Sequence, residues 1–333
     1  MDKKERLEKE IEQLKATLDK CFQKRLLSDD PEKEIKLEEL EERLESQIRE
    51  KERKLSHLSS SSSNRNRGTL TLKEELCSLD FDEPKKVVQD ILTCLHENEG
   101  GSALLLAEKC LDMEGELLLI KIRDILKSNT SQLIEYPVQF IPTMPANRMA
   151  FLKTIAGYLG IDLPVTDGNE SEDELTKATE KIVGKLSERL RSGTTIFIPV
   201  ANWKSLSLSY QSVFLDWFIC QFWQSLNRSV SMAMNDYSPR VFCIIMVDES
   251  MAEACKKADY FCDTAEFDCN KLLMLPLRCW TKTDVRRWLS SYSSEINKTE
   301  CNRLVDYIFG SKDEELPWKV RAELEKAHAQ SCF

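Results

Sequence analysis

The sequence predicts an α/β fold, with a parallel sheet covered by helices on both faces, a helical hairpin before it and a small helical lid after it. Three observations carry this expectation. Apolar runs at 103–107, 136–141, 194–200 and 241–247 are continuous rather than alternating, as in strands buried on both faces. Segments with helical apolar periodicity separate those runs, the pattern that places strands side by side in parallel. Residues 2–58 carry no strand-like run, only a heptad seam. The chain accordingly divides into a hairpin over 1–58, a flexible serine-rich linker over 59–69, an α/β core over 70–250, and a strand plus helical lid over 251–333.

Composition narrows the functional classes. A chain of 333 residues with 41% hydrophobic and 31% charged side chains has room for two or three folded units. No apolar run approaches the roughly 18–20 residues that span a bilayer. The opening Met1-Asp2-Lys3-Lys4-Glu5-Arg6 has no signal-peptide core, so a cytoplasmic protein is expected. A net charge of −10 without a long basic block argues against nucleic acid as a partner. The 12 cysteines include no C-x-x-C pair. Cys255, Cys262 and Cys269 recur every seven residues, but that is no zinc-knuckle spacing, and His57, His96 and His328 all lie elsewhere. Reduced thiols and no metal are the expectation.

In the hairpin, Leu7, Ile11, Leu14 and Leu18 form one heptad seam, and Leu37, Leu40, Leu44, Ile48 and Leu55 form a second. Asp30 and Pro31 between them suit the cap and first turn of the second helix. Such a pair buries little alone. It either packs against its own chain or, the preferred reading, pairs with an effector chain or a second copy. Ser59–Ser63 and the polar run to Gly68 then form a linker with no apolar residue to pack.

The core opens with a helix from Pro84 through Leu95 and the strand at 103–107. The next stretch has the strand–loop–helix layout of a phosphate-binding loop, G-x-x-x-x-G-K-[ST]. Here Cys110 takes the first glycine position, Gly115 the second, Glu116 the lysine and Leu117 the hydroxyl. A carboxylate at the lysine position repels phosphate by about 1 kcal/mol in a wet site and more in a dry one. The strand at 194–200 should end in a metal-binding acid, and the residues there are Ala201, Asn202 and Trp203. Asn202 is neutral and Trp203 cannot act as a base. The strand at 241–247 ends in Asp248-Glu249 where a sensor arginine would be expected. The core thus reads as P-loop-NTPase-like with degenerate motifs. Lys109 or Arg148 could stand in for the missing lysine, which keeps a divergent nucleotide-binding reading open. Two further helices are expected, from Phe151 to Gly160 and from Leu175 to Leu190, and a third over 210–226. On that third helix Trp217, Phe218, Phe222 and Trp223 lie too close together for one face, so burial is the default and an exposed partner anchor the alternative.

After 250, Leu272–Leu277 reads as a short strand, Thr281-Lys282-Thr283-Asp284 as a cap, and helices follow through Phe309 and from Pro317. Taken in order, several segments resemble the STAND class of signal-transduction NTPases, and the replaced motifs resemble its inactive branch, the iSTAND domains. They are Leu76-Cys77-Ser78-Leu79-Asp80-Phe81, Ile198-Pro199-Val200-Ala201-Asn202-Trp203, Trp217-Phe218 with Phe222-Trp223, Leu275-Pro276-Leu277 and Thr281-Lys282-Thr283-Asp284-Val285. The likeness covers 70–333. Residues Lys24 to Leu40 resemble the helical effector-associated domains of bacterial, often cyanobacterial, conflict proteins.

That resemblance implies a non-catalytic adaptor or scaffold in a bacterial defence system, without a cofactor, recruiting an effector by helix pairing. A divergent STAND-type ATPase switch is the alternative. No histidine, serine or cysteine carries a motif for another catalytic route.

Overall fold

The structure, a computed structural model, describes residues 76, 78–79, 81–140, 146–163, 171–190, 193–234, 238–292 and 298–329. The hairpin, its two seams and the linker lie outside the described residues. The described residues all belong to one compact unit, 70–333.

The first strand, β1 (Gly101–Ala107), follows α1 (Asp82–Glu97) and leads through a loop into α2 (Gly115–Ser128). Next come β2 (Gln132–Glu135), β3 (Val138–Gln139), α3 (Arg148–Leu159), α4 (Glu172–Ser187) and β4 (Thr194–Ala201). Helix α5 (Leu208–Trp217) continues through a π-helical turn, Phe218–Trp223, into α6 (Gln224–Ala233), and β5 (Arg240–Met246) follows. The chain ends with β6 (Phe261–Cys262), β7 (Leu272–Met274), β8 (Trp280–Thr281), α7 (Lys282–Tyr292), α8 (Lys298–Phe309), β9 (Glu314–Glu315) and α9 (Pro317–Ala329).

The main sheet has the order β2-β4-β5-β1-β7-β6, with β3 also on β4, and every pair in it is parallel. This is the α/β layout of a P-loop-NTPase-like core, with β1 flanked on both sides. Its strands read as unbroken apolar runs because successive side chains enter different cores. Leu104, Leu106, Ile196, Ile198, Val241, Cys243 and Ile245 pack on one side with α3 to α6. Ala103, Leu105, Ala107, Phe197, Phe242, Ile244 and Met246 pack on the other with α1, α2 and the C-terminal helices.

The second strand departs from the sequence expectation of 136–141. It begins earlier, at Gln132, and breaks at Tyr136-Pro137 before resuming as β3. Pro199 explains the gap. On β4 the carbonyls of Phe197 and Ala201 accept from Tyr136 and Phe140, so the backbone groups of Pro199, midway between them, face the same neighbour. Pro199 has no N–H to offer there, so the Tyr136 carbonyl goes without its ladder donor, while the nitrogen of Pro137, one residue out of phase, faces the open edge. The position is tolerable because β2 and β3 form the sheet edge. The strand expected over 272–277 is likewise shorter, ending at Met274, with Leu275-Pro276-Leu277 as connecting backbone.

The aromatic helix is longer than 210–226 and is interrupted by the π-helical turn. A wider turn lets Phe218, Ile219, Phe222 and Trp223 all face inward, and all four are buried. Phe151 of α3 is their hub, with ring centroids 5.0 Å from Phe222, 5.4 Å from Phe218 and 5.9 Å from Trp217, each edge-on. Edge-on pairs of this kind contribute about 0.5–1.5 kcal/mol each beyond burial. Helix α3 starts three residues before the expected Phe151, because Asn147 Oδ1 accepts from the Ala150 amide, and it stops where expected, at Gly160, which takes the left-handed conformation at φ 67°.

The segment expected as a lid shares its core with the sheet. Trp280, Val285, Trp288, Leu289, Val305, Phe309, Val320 and Leu324 belong to the same apolar cluster as Leu105 and Phe242. Helix α7 starts with a capping box. Thr281 Oγ1 accepts from the Asp284 amide at 3.2 Å, and Asp284 Oδ2 accepts from the Thr281 amide at 2.8 Å. Burial alone would raise the Asp284 carboxyl, but the Arg278 guanidinium at 3.0 Å and the Thr281 donors hold it below the ordinary carboxylate range. A depressed folded-state pKa gives stability that is present above the unfolded value of about 3.9 and is lost as pH falls through the folded value. Urea unfolding should therefore show Asp284→Asn destabilised by about 1 kcal/mol at neutral pH. The variant should also lose less stability than the parent on acidification.

Candidate functional site

The loop between β1 and α2, together with the chain leaving β4 and β5, is where a nucleotide would be handled. Strand β1 delivers the loop at the carboxyl edge of the sheet, and α2 begins at Gly115. Loops of this kind bind phosphate with free backbone N–H groups aimed at a common point. In this loop the amides have other acceptors. Those of Lys109, Cys110 and Leu111 donate to the carbonyls of Glu249, Val247 and Asp248 at 2.7, 2.9 and 3.2 Å. Asp112 and Met113 both donate to the Lys109 carbonyl, and Gly115 to that of Cys110 at 2.8 Å. Leu117 and Leu118 close the first helical turn on Glu114. Turning one such amide toward a ligand leaves a carbonyl unpaired, at about 1–3 kcal/mol each.

The side chains complete the change. Cys110 is buried, with Sγ donating to the Ala107 carbonyl at 3.3 Å. Burial first, and then the Asp248 and Glu108 carboxylates, push its thiol up to about 12, so it stays protonated and is no nucleophile. Gly115 serves Cys110 directly. A Cβ at 115 would lie 2.6 Å from Cys110 Cβ and 2.9 Å from its sulfur. Leu117 is fully buried in the apolar cluster beneath α2, and Glu116 is exposed at the lysine position.

The other two motif positions are built into the packing. Asn202 takes the left-handed conformation at φ 59° and donates from Nδ2 to the Phe140 carbonyl at 3.0 Å. It ties the end of β4 to the segment after β3. Trp203 is buried, 5.6 Å from the Phe214 ring and edge-on to it. Beyond β5, Val247, Asp248 and Glu249 act through their backbone carbonyls, the acceptors named above. Of the two candidate substitute cations, Arg148 is paired with Glu172 at 2.8 Å, while Lys109 is exposed on the loop.

One contact has no local sequence signal. The last helix, α9, sits against the loop: the Trp318 amide donates to the Asp112 carbonyl at 3.3 Å, and Arg321 Nη1 meets Glu114 Oε2 at 2.6 Å. Both carboxylate and guanidinium are mostly covered there. Arg321 also holds Glu325 of its own helix at 2.7 Å, which an i, i+4 spacing does announce. Glu114 itself takes a left-handed conformation at φ 54°. The cleft beside the loop, lined by Phe81, Pro84, Met113, Pro276, Leu277 and Arg278, holds about 10 Å³. That is room for about one water molecule. Among the described residues, no group of three or more histidine, cysteine or acidic side chains is placed to hold a metal ion.

No family model and no curated protein matches the sequence. Among solved structures, the fold is similar to the E. coli MS115-1 HORMA:CdnC:Trip13 complex at 12% identity and TM-score 0.40, covering 72% of this chain and 76% of that one. It is also similar to the Aeropyrum pernix ORC1 protein in complex with DNA, at 13% identity and TM-score 0.39 over 77% of this chain and 64% of that one. Likeness at this level bears on neither chemistry nor partners.

Two measurements test this reading of the loop. Gly115→Ala should destabilise the fold by about 1–3 kcal/mol through the clash with Cys110. Adding Cys110→Gly in that background should recover part of the loss, giving a non-additive cycle in chemical denaturation. A second cycle on Glu114→Gln and Arg321→Gln should give a coupling of at least about 0.5 kcal/mol, reduced by added salt.

Proposed function

We propose that this protein is a non-catalytic adaptor or scaffold whose α/β core is a docking body and whose N-terminal hairpin recruits an effector chain, or a second copy, by helix pairing. The observation that supports it is the loop after β1, where the amides of Lys109, Cys110 and Leu111 are bonded to the chain after β5 and those of Asp112 and Met113 to Lys109. Glu116 at the lysine position, Asn202 and Trp203 at the metal-acid positions, and the docking of α9 on Asp112 and Glu114 agree with it. The context, a bacterial conflict system, comes from the resemblance to iSTAND and effector-associated domains. The partner is a protein. Among the described residues no helix is long and apolar enough to cross a membrane.

Lys109 favours a second reading, a divergent nucleotide-binding switch, because it is exposed on the loop itself. Calorimetric titration of the full chain with magnesium and ATP separates the two. The adaptor reading expects no saturable binding, whereas micromolar binding that Lys109→Ala removes would replace it with the switch. Recruitment has its own test. Removing residues 1–60 should abolish capture of a partner hairpin while leaving the circular dichroism of 69–333 native. Capture that survives the deletion would refute helix-pair recruitment.

A further inference from the structure

At the opposite edge of the sheet, where the strands begin, lies a second feature. Arg240 opens β5, in register with Gly101 of β1 and Thr195 of β4. Its guanidinium lies between the carboxyl ends of two helices. Nη1 donates to the carbonyl of Asn129, which caps α2, at 2.8 Å, and Nη2 is 3.4 Å from His96 Nδ1 in the last turn of α1. A guanidinium carries five N–H donors. Two of those of Arg240 have partners, and its Nε is shut off from water with no acceptor. No carboxylate among the described residues pairs with it. With Nε enclosed, the donors left for a ligand are the second protons of Nη1 and Nη2.

Beside the guanidinium opens a groove of about 520 Å³, lined by Gln89, Leu92, Thr93, His96, Asn129 and Arg240. Among the described residues no acidic side chain lines it. It has one full positive charge, amide and hydroxyl groups, and an apolar wall in Leu92. Its volume falls within the range of about 300–1,000 Å³ usual for small-ligand clefts.

We propose that this groove binds a carboxylate. The planar fork of Arg240 matches a carboxylate in charge and shape. The ends of α1 and α2 carry partial negative charge. With those ends offsetting much of the Arg240 charge, a phosphate dianion would leave about two negative charges unbalanced, where a carboxylate leaves about one. Carboxylate could arrive as a small organic acid or on an acidic side chain or chain terminus of a partner protein, and the two sources separate by affinity.

The test follows the ring-proton signal of His96 in the full chain by NMR, with His96→Gln used only to assign it among the three histidines. The probes are glutarate, a short peptide ending in Leu-Glu, and inorganic phosphate. Glutarate and the peptide should shift the signal saturably, and phosphate should do so more weakly. Arg240→Gln should weaken binding by about 10- to 100-fold, the worth of a hydrogen bond to a charged group. Thr93→Trp, at an exposed helix position, should block the groove while leaving Arg240 and its contacts in place. Peptide binding about tenfold tighter than glutarate assigns a protein-borne carboxylate, and equal affinities assign a small acid. The proposal is overturned if neither probe shifts His96 saturably, if Thr93→Trp leaves the titration unchanged, or if phosphate binds as tightly as glutarate.

Discussion

The hydrogen bonds that join Lys109, Cys110 and Leu111 to the carbonyls of residues 247–249 constrain everything at the carboxyl edge of the sheet. They extend the β1–β5 pairing past the ends of both strands and draw the loop down onto its neighbour. An amide has one proton, so these three amides cannot donate to a ligand while they hold those carbonyls. The side-chain replacements follow from the closure. With the loop drawn down, position 110 is an interior position, where a thiol packs against Gly115 and donates to the Ala107 carbonyl. Position 117 likewise faces the apolar cluster, where a leucine packs better than a hydroxyl.

The same economy runs through the rest of the unit. Asn202 and Trp203 hold the end of β4 in place, one through a hydrogen bond to Phe140 and the other through ring packing against Phe214. The C-terminal helices share the sheet's core through Trp280, Val285, Val320 and Leu324, and α9 reaches the loop through Trp318 and Arg321. In a nucleotide switch these parts separate and rejoin around a ligand. Here a continuous apolar core and a covered ion pair join them.

The fold was legible because burial on both faces leaves an unmistakable trace in β1, β4 and β5, three unbroken apolar runs. Two caps were legible for a local reason: Gly160 and the Thr281–Asp284 box act within a few residues of themselves, whereas Asn147 went unread. The break in the second strand was not, although Pro199 stands in the sequence, because its effect appears only once β2 and β3 lie beside β4. The π-helical turn was hidden too, since it answers to the ring of Phe151 on another helix.

At the candidate site the sequence by itself determined what is missing: a lysine, a hydroxyl and an acid, absent at 116, 117 and 202. Residue identity is enough for that, because the missing chemistry is a property of single side chains. Only the tertiary structure decided where the loop amides point, why Gly115 stays a glycine, and that Arg321 closes on Glu114 across 207 positions. Each of these depends on groups brought together by strand order and helix packing, and a hydrogen bond between distant segments leaves no periodicity in either of them.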